Sequence, residues 1–244
     1  MEPGNRALDE LIIELTGVRE PRVLFLPTAG GDAAEQIASF HATFGDRACR
    51  PAHLSLFRLH GSRTSLRETV LAHDAVYVGG GSMRNMLAIW KAHGLDEVLR
   101  EAWESGTVLA GLSAGAMCWF EGGVTMSGGP AEPIAGLAFV HGSLNVHTDG
   151  EPRRLPVYLE AIRRGVLPGG WALDDGVGLV LAGGRLERVV SSRPGARALR
   201  VDCVAGELVR EHVEPELLTP PSTRLGSIPD DVRELRQVRG MRRR

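Results

Sequence analysis

The chain has 244 residues, 43% hydrophobic and 24% charged, which fits one large globular domain with a substantial core. A formal net charge of −2 and an aromatic content of 5% give no global attraction to nucleic acid or to an anionic membrane, and little material for base stacking. Three cysteines (Cys49, Cys118, Cys203) with no C-x-x-C pair support neither a zinc knuckle nor a disulfide framework.

The segment Met1 to Glu10 lacks the apolar stretch of a signal peptide, and no apolar run is long enough for a bilayer. A cytoplasmic protein with reduced thiols is therefore expected. Val23-Leu24-Phe25-Leu26 reads as a buried strand ending at Pro27. Residues 32–44 read as a helix with Asp32 as N-cap, and residues 53–59 as a second strand. Residues 65–72 read as a helix, with Ser65 and Glu68 at capping-box spacing. Ala75-Val76-Tyr77-Val78 is a third strand closed by Gly79-Gly80-Gly81. Helices over 83–93 and 95–105 lead to a fourth buried strand, Val108-Leu109-Ala110-Gly111. Continuous apolar strands separated by helices predict an α/β fold with a mostly parallel sheet and helices on both faces. Ligands in such sheets sit beyond the carboxyl ends of the strands. Gly30-Gly31, Gly79-Gly80-Gly81 and Ser113 all fall there.

Further on, residues 177–182 and 185–191 flank Gly183-Gly184, a two-residue hairpin signal. Residues 198–204 and 207–213 read as another strand pair. From Pro215 prolines and arginines dominate. The expected organisation is one domain over 1–214 and a Pro/Arg-rich tail over 215–244, read as a loose surface segment whose basic end is a candidate interaction arm.

Gly111-Leu112-Ser113-Ala114-Gly115 is the motif that carries chemistry. A serine hydroxyl needs a base within hydrogen-bond reach, and it must project from a tight turn. G-x-S-x-G between a strand and a helix supplies that turn. A plain strand-to-helix connection with an N-capping serine is the structural alternative. The N–H of Ala114 and those of the glycines at 79–81 are candidate oxyanion donors. His141 and His147 follow the serine, and His147 closes an apolar stretch before a polar turn, where a base belongs. A metal held by this pair is disfavoured by their spacing. Asp149, Glu151, Asp174 and Asp175 are the candidate acids.

These residues resemble the peptidase E family of aspartyl dipeptidases and related cyanophycinases. The resemblance rests on Gly111–Ala116 with Cys118-Trp119-Phe120, on the run from His147 to Arg154, on Ala172–Gly176, and on Pro27-Thr28-Ala29 and Gly79-Gly80-Gly81 with Asn85. It covers roughly residues 20–205. It implies a fold similar to class I glutamine amidotransferases (flavodoxin-like), with C-terminal β-hairpins, and a serine-type triad in the order Ser, His, acid. Carried over, Ser113 is the nucleophile, His147 the base and Asp175 the acid, with Asp174 in reserve because many members have Glu at this place. Gly80, Gly81 and Ala114 frame the oxyanion, and Asn85 matches a family position.

The resemblance also implies a short peptide substrate and no cofactor. Arg153 and Arg154 are candidates to grip a substrate carboxylate. The asparagine-aspartate stretch of the Asp-X dipeptidases has no match after Ser113, so C-terminal cleavage stays open. A second copy of the chain is a candidate partner. Two rivals remain: an esterase of the α/β-hydrolase type, which needs His212 as base, and a silent amidotransferase-like binding module.

Overall fold

The computed structural model describes residues 6–59 and 64–218. In chain order the first half runs α1 (Ala7–Leu15), β1 (Arg22–Leu26), α2 (Ala34–Gly45), β2 (Arg50–His53), α3 (Leu66–Leu71), β3 (Ala75–Val78), α4 (Met83–His93), α5 (Leu95–Glu104) and β4 (Val108–Gly111). The four strands form a parallel sheet in the order β2-β1-β3-β4.

Side chains alternate between its faces. Val23, Phe25, Ala75 and Tyr77 meet Phe40 and Phe44 of α2 and the flank of α1 at Ile12 and Ile13. Leu24, Leu26, Val76 and Val78 meet Met83, Met86 and Trp90 of α4 and Leu95 and Leu99 of α5. With helices on both faces, β1 and β3 have no polar side to show, so their sequences do not alternate. Phe40 anchors its layer, stacking on Phe25 and on Phe44 with ring centroids 4.7 Å apart in each pair.

The second half adds α6 (Ala114–Met117), β5 (Phe120–Thr125), β6 (Glu132–Ala135), β7 (Val140–Asn145), α7 (Arg154–Arg163), β8 (Gly170–Leu173), β9 (Val177–Ala182), β10 (Arg185–Ser191), β11 (Ala198–Val204), β12 (Glu207–Val213) and β13 (Glu216–Leu217). A six-stranded sheet in the order β12-β11-β8-β7-β5-β6 has β5, β7 and β8 parallel at its centre and antiparallel strands at both edges. Tyr158, Ala161 and Ile162 of α7 pack against Val124, Ala172 and Val201 of that sheet. The β9–β10 hairpin turns on Gly183 (φ 56°) and Gly184 (φ 77°), as a two-residue turn that needs two positive φ values demands.

Several local expectations are corrected. β2 spans Arg50–His53 rather than 53–59, because its register with β1 ends at Phe25↔His53 and among the described residues no strand pairs with its outer edge. A 3-10 turn, Leu56–Arg58, follows and buries Leu56 while Phe57 stays exposed. Asp32 is not the cap of α2, which starts after Ala33. Its carboxylate instead takes the Ser55 hydroxyl and the Phe57 N–H, tying that turn to the end of β1. β4 is half-buried rather than buried, since it is an edge strand. The Ser65–Glu68 capping box forms as expected.

Of the segment from Pro215 read as loose, Glu216–Leu217 pairs with the end of β10, and Glu216 forms an ion pair with Arg188 at 2.9 Å. Residues 219–244 lie outside the described residues, as does His60. No helix among the described residues is long and apolar enough to cross a membrane. Cys49, Cys118 and Cys203 are free thiols.

Candidate active site

The carboxyl ends of β1, β3 and β4 lie side by side in the first sheet, and those of β7 and β8 side by side in the second. β4 runs into Leu112 and then Ser113, which stands at φ 53° and ψ −117° immediately before α6. The flanking glycines are steric requirements. A Cβ at Gly111 would lie 2.3 Å from the Gly115 carbonyl oxygen, and one at Gly115 would lie 2.3 Å from that of Val78. Strand and helix therefore cross too closely for any side chain, and the serine is thrown outward at the apex.

Ser113 Oγ lies 2.9 Å from His147 Nε2, and His147 Nδ1 lies 2.5 Å from Asp175 Oδ1. The histidine leaves the end of β7 at φ 60°, an uncommon conformation for a residue with a side chain. Its loop is pinned on both sides. Thr148 N–H donates to the Leu173 carbonyl at 3.0 Å, and Glu151 N–H donates to the His147 carbonyl at 2.7 Å. Asp149 adds a third tie: its carboxylate accepts the Asp175 N–H at 2.8 Å and pairs with Arg193 at 3.2 Å. Burial alone would raise the Asp149 pKa, but the N–H groups of Asp175 and of Asp149 itself, with Arg193, outweigh it and hold the carboxyl below its ordinary value. An ionised Asp149 thus fixes the backbone that carries Asp175.

Asp174 is turned to other work. It is buried and accepts hydrogen bonds from Arg197 N–H at 3.0 Å and Arg197 Nε at 3.1 Å. Glu151 pairs with Arg154 at 2.5 Å. Arg154 is itself buried, and its Nη1 donates to the Val124 carbonyl at 3.0 Å. Arg154, one of the two arginines read as a substrate grip, thus spends its Nε and Nη1 on Glu151 and on joining α7 to β5. Arg153 precedes α7 and is exposed, and Asn85 is exposed in the first turn of α4.

Gly80 abuts the nucleophile. A Cβ there would lie 2.8 Å from Leu112 Cδ1 and 3.2 Å from Ser113 Cβ. Among the described residues nothing accepts a hydrogen bond from the N–H of Gly80, Gly81 or Ala114.

The other histidines are elsewhere. His41 and His53 contact each other at 2.9 Å, His73 bonds to Thr69, and His141 pairs with Glu121. His212 is exposed on β12, an edge strand of the six-stranded sheet. Among the described residues no cluster of three or more His, Cys, Asp or Glu side chains could hold a metal ion. Arg193 is the site-supporting residue that sequence reasoning missed. Its contact with Asp149 spans 44 residues, and no local pattern announces it.

The family model of peptidase family S51 matches residues 1–189. The chain belongs to peptidase family S51. It is 45% identical over 220 residues to a protein of Bacillus subtilis (strain 168) described as the uncharacterized peptidase YgaJ, covering 90% of this chain and 92% of that one. Among solved structures, a peptidase from an acI-B1 Actinobacterium superposes with a TM-score of 0.64 at 19% identity, over 86% of this chain and 89% of that one. A putative peptidase E protein from Listeria monocytogenes EGD-e gives a TM-score of 0.49 at 16% identity, over 86% and 95% of the two chains. Membership in S51 makes this chain a serine peptidase. It removes both the esterase and the silent binding module as readings.

Proposed function

We propose that this S51 peptidase is an exopeptidase of short peptides, a dipeptidase with Asp-X as the first substrate class to test. Ser113, His147 and Asp175 are its triad. The observation that carries this reading is the unbroken contact chain from Ser113 Oγ through both ring nitrogens of His147 to Asp175 Oδ1, at 2.9 and 2.5 Å. As Oγ attacks the scissile carbonyl, Nε2 takes its proton, and Asp175 holds the ring and stabilises the imidazolium. The developing oxyanion is received by the N–H groups of Gly80 or Gly81 and Ala114. Each such donor is worth about 3 kcal/mol in the transition state. Nε2 then delivers the proton to the leaving amine. Water attacks the acyl-enzyme by the same route reversed.

With Arg154 committed to Glu151 and Val124, Arg153 is the better candidate of the two for a substrate carboxylate. That carboxylate belongs to an N-terminal aspartate or to the C-terminus of a peptide cleaved from that end. A screen of di- and tripeptides, free or blocked at either end and read by mass spectrometry, separates the two. Preferred release of an N-terminal Asp supports the Asp-X reading, and tolerance of an N-terminal block overturns it. Ser113→Ala, run alongside, is expected to abolish turnover with the fold retained. Persistent hydrolysis by that variant would sink the mechanism.

A further inference from the structure

Gln36 lies in the first turn of α2, outside every motif the sequence displays, yet its side chain reaches the loop beside the nucleophile. Its Nε2 donates to the Gly80 carbonyl at 3.3 Å. The amide is wedged between two loops: a Cβ at Gly30 would fall 2.2 Å from Gln36 Oε1, and one at Gly79 would fall 3.4 Å from it. Oε1 is buried and, among the described residues, has no hydrogen-bond partner. Leaving a buried polar atom unpaired is unfavourable, and an apolar side chain of the same length would fill this space without that cost. Stability therefore does not explain an amide here. Its one hydrogen bond does.

We infer that Gln36 is a positioning residue of the oxyanion hole, one that sets the direction of the Gly81 N–H by holding the Gly80 carbonyl. In a trans peptide the carbonyl oxygen and the following N–H point in opposite directions. Fixing Gly80 O toward α2 therefore turns the Gly81 N–H away from α2, on a loop whose other neighbour is Ser113. This peptide needs a tether because it joins two glycines, whose backbones accept either sign of φ. Gly81 stands at φ 139°, and a Cβ there would lie 2.2 Å from the Ala29 carbonyl oxygen. Turned over, the same peptide would present a carbonyl oxygen to the developing negative charge in place of a donor. The inference rests on the proposed triad, whose acyl transfer needs the hole.

Two variants test it. Gln36→Met keeps the length and the packing but has no donor. Gln36→Glu keeps the shape and sets an acceptor against the Gly80 carbonyl. The expected result is a fall in kcat of about 10- to 100-fold, approaching the loss of a whole oxyanion donor. KM should stay within about twofold, and Glu should be the more severe change, because a misdirected donor affects only the charged transition state. Affinity for an aldehyde analogue of the best peptide from the screen should fall in parallel with kcat. A packing role would instead move Tm and KM and spare the near-isosteric Glu. A kcat within twofold of wild type in both folded variants overturns the inference. If the wild type cleaves no peptide, or Ser113→Ala still does, the triad reading is what fails. Crystal structures of the two variants then decide separately: a rotated Gly80–Gly81 peptide supports the role of Gln36, and an unmoved one overturns it.

Discussion

Ser113 and His147 both carry side chains at positive φ, 53° and 60°, a conformation that costs of order 1–3 kcal/mol per residue and persists only where surroundings enforce it. For Ser113 the enforcement is the close crossing at Gly111 and Gly115. For His147 it is the ties of Thr148, Asp149 and Glu151 to neighbouring backbone. The adjacent acids Asp174 and Asp175 bond to different partners, Arg197 and His147. Asp175→Asn is expected to lower kcat by about 10⁴-fold with little change in stability, by the precedent of serine-protease triads. Asp174→Asn should leave kcat within about tenfold and lower the unfolding free energy by about 1–3 kcal/mol, since it weakens charge-assisted bonds to Arg197. Steady-state kinetics and urea unfolding on the same preparations check both. The reverse pattern would move the acid to Asp174.

Among the elements, the two C-terminal hairpins turn on different residues for the same geometry. The β9–β10 turn uses two glycines. The β11–β12 turn places Ala205 at φ 51° before Gly206 at φ 86°. Asparagine tolerates this region better than alanine and is the favoured first residue of such turns. Ala205→Asn should therefore stabilise the protein by about 0.5–1 kcal/mol, read as a higher urea midpoint at unchanged m-value. A lower midpoint would contradict it. Helix α3 shows the opposite case, where the local signal sufficed: Ser65 and Glu68 cap each other within four residues of chain. Where an element depended on a distant neighbour, the local signal failed. β2 stops at the Phe25↔His53 pair, and Asp32 caps nothing because Ser55 and Phe57 claim its carboxylate.

Across the whole molecule, chemistry gathers at one end of the first sheet and a titrating group sits at the other. His73 lies between α3 and the amino end of β3, remote from Ser113 at the carboxyl end of β4. Burial lowers its pKa below the ordinary histidine value. The Thr69 carbonyl and Asp74 oppose that shift, and Arg22 adds to it. The folded state therefore binds this proton less readily than the unfolded one. The stability it contributes is full above the ordinary histidine pKa and is lost as pH falls through that value toward the lower folded one. His73→Gln should reduce the loss of unfolding free energy between about pH 7 and pH 5 without changing kcat at neutral pH. Equal losses in both proteins would exclude the assignment.

The sequence by itself determined the parallel α/β architecture, the serine at a strand-to-helix apex and both C-terminal hairpins. These follow from apolar runs, glycine spacing and turn chemistry that act within about a dozen residues. It favoured His147 over His141 only by its place before a polar turn, and left Asp174 beside Asp175 as equals on the residues alone. It also left Arg153 level with Arg154, and it was silent on Gln36 and Arg193. Tertiary structure shows which of these groups meet, because the contacts of Gln36, His147 and Arg193 join groups 28 to 44 residues apart in the chain at about 3 Å. Hydrogen bonds over such distances exist only once the strands have paired.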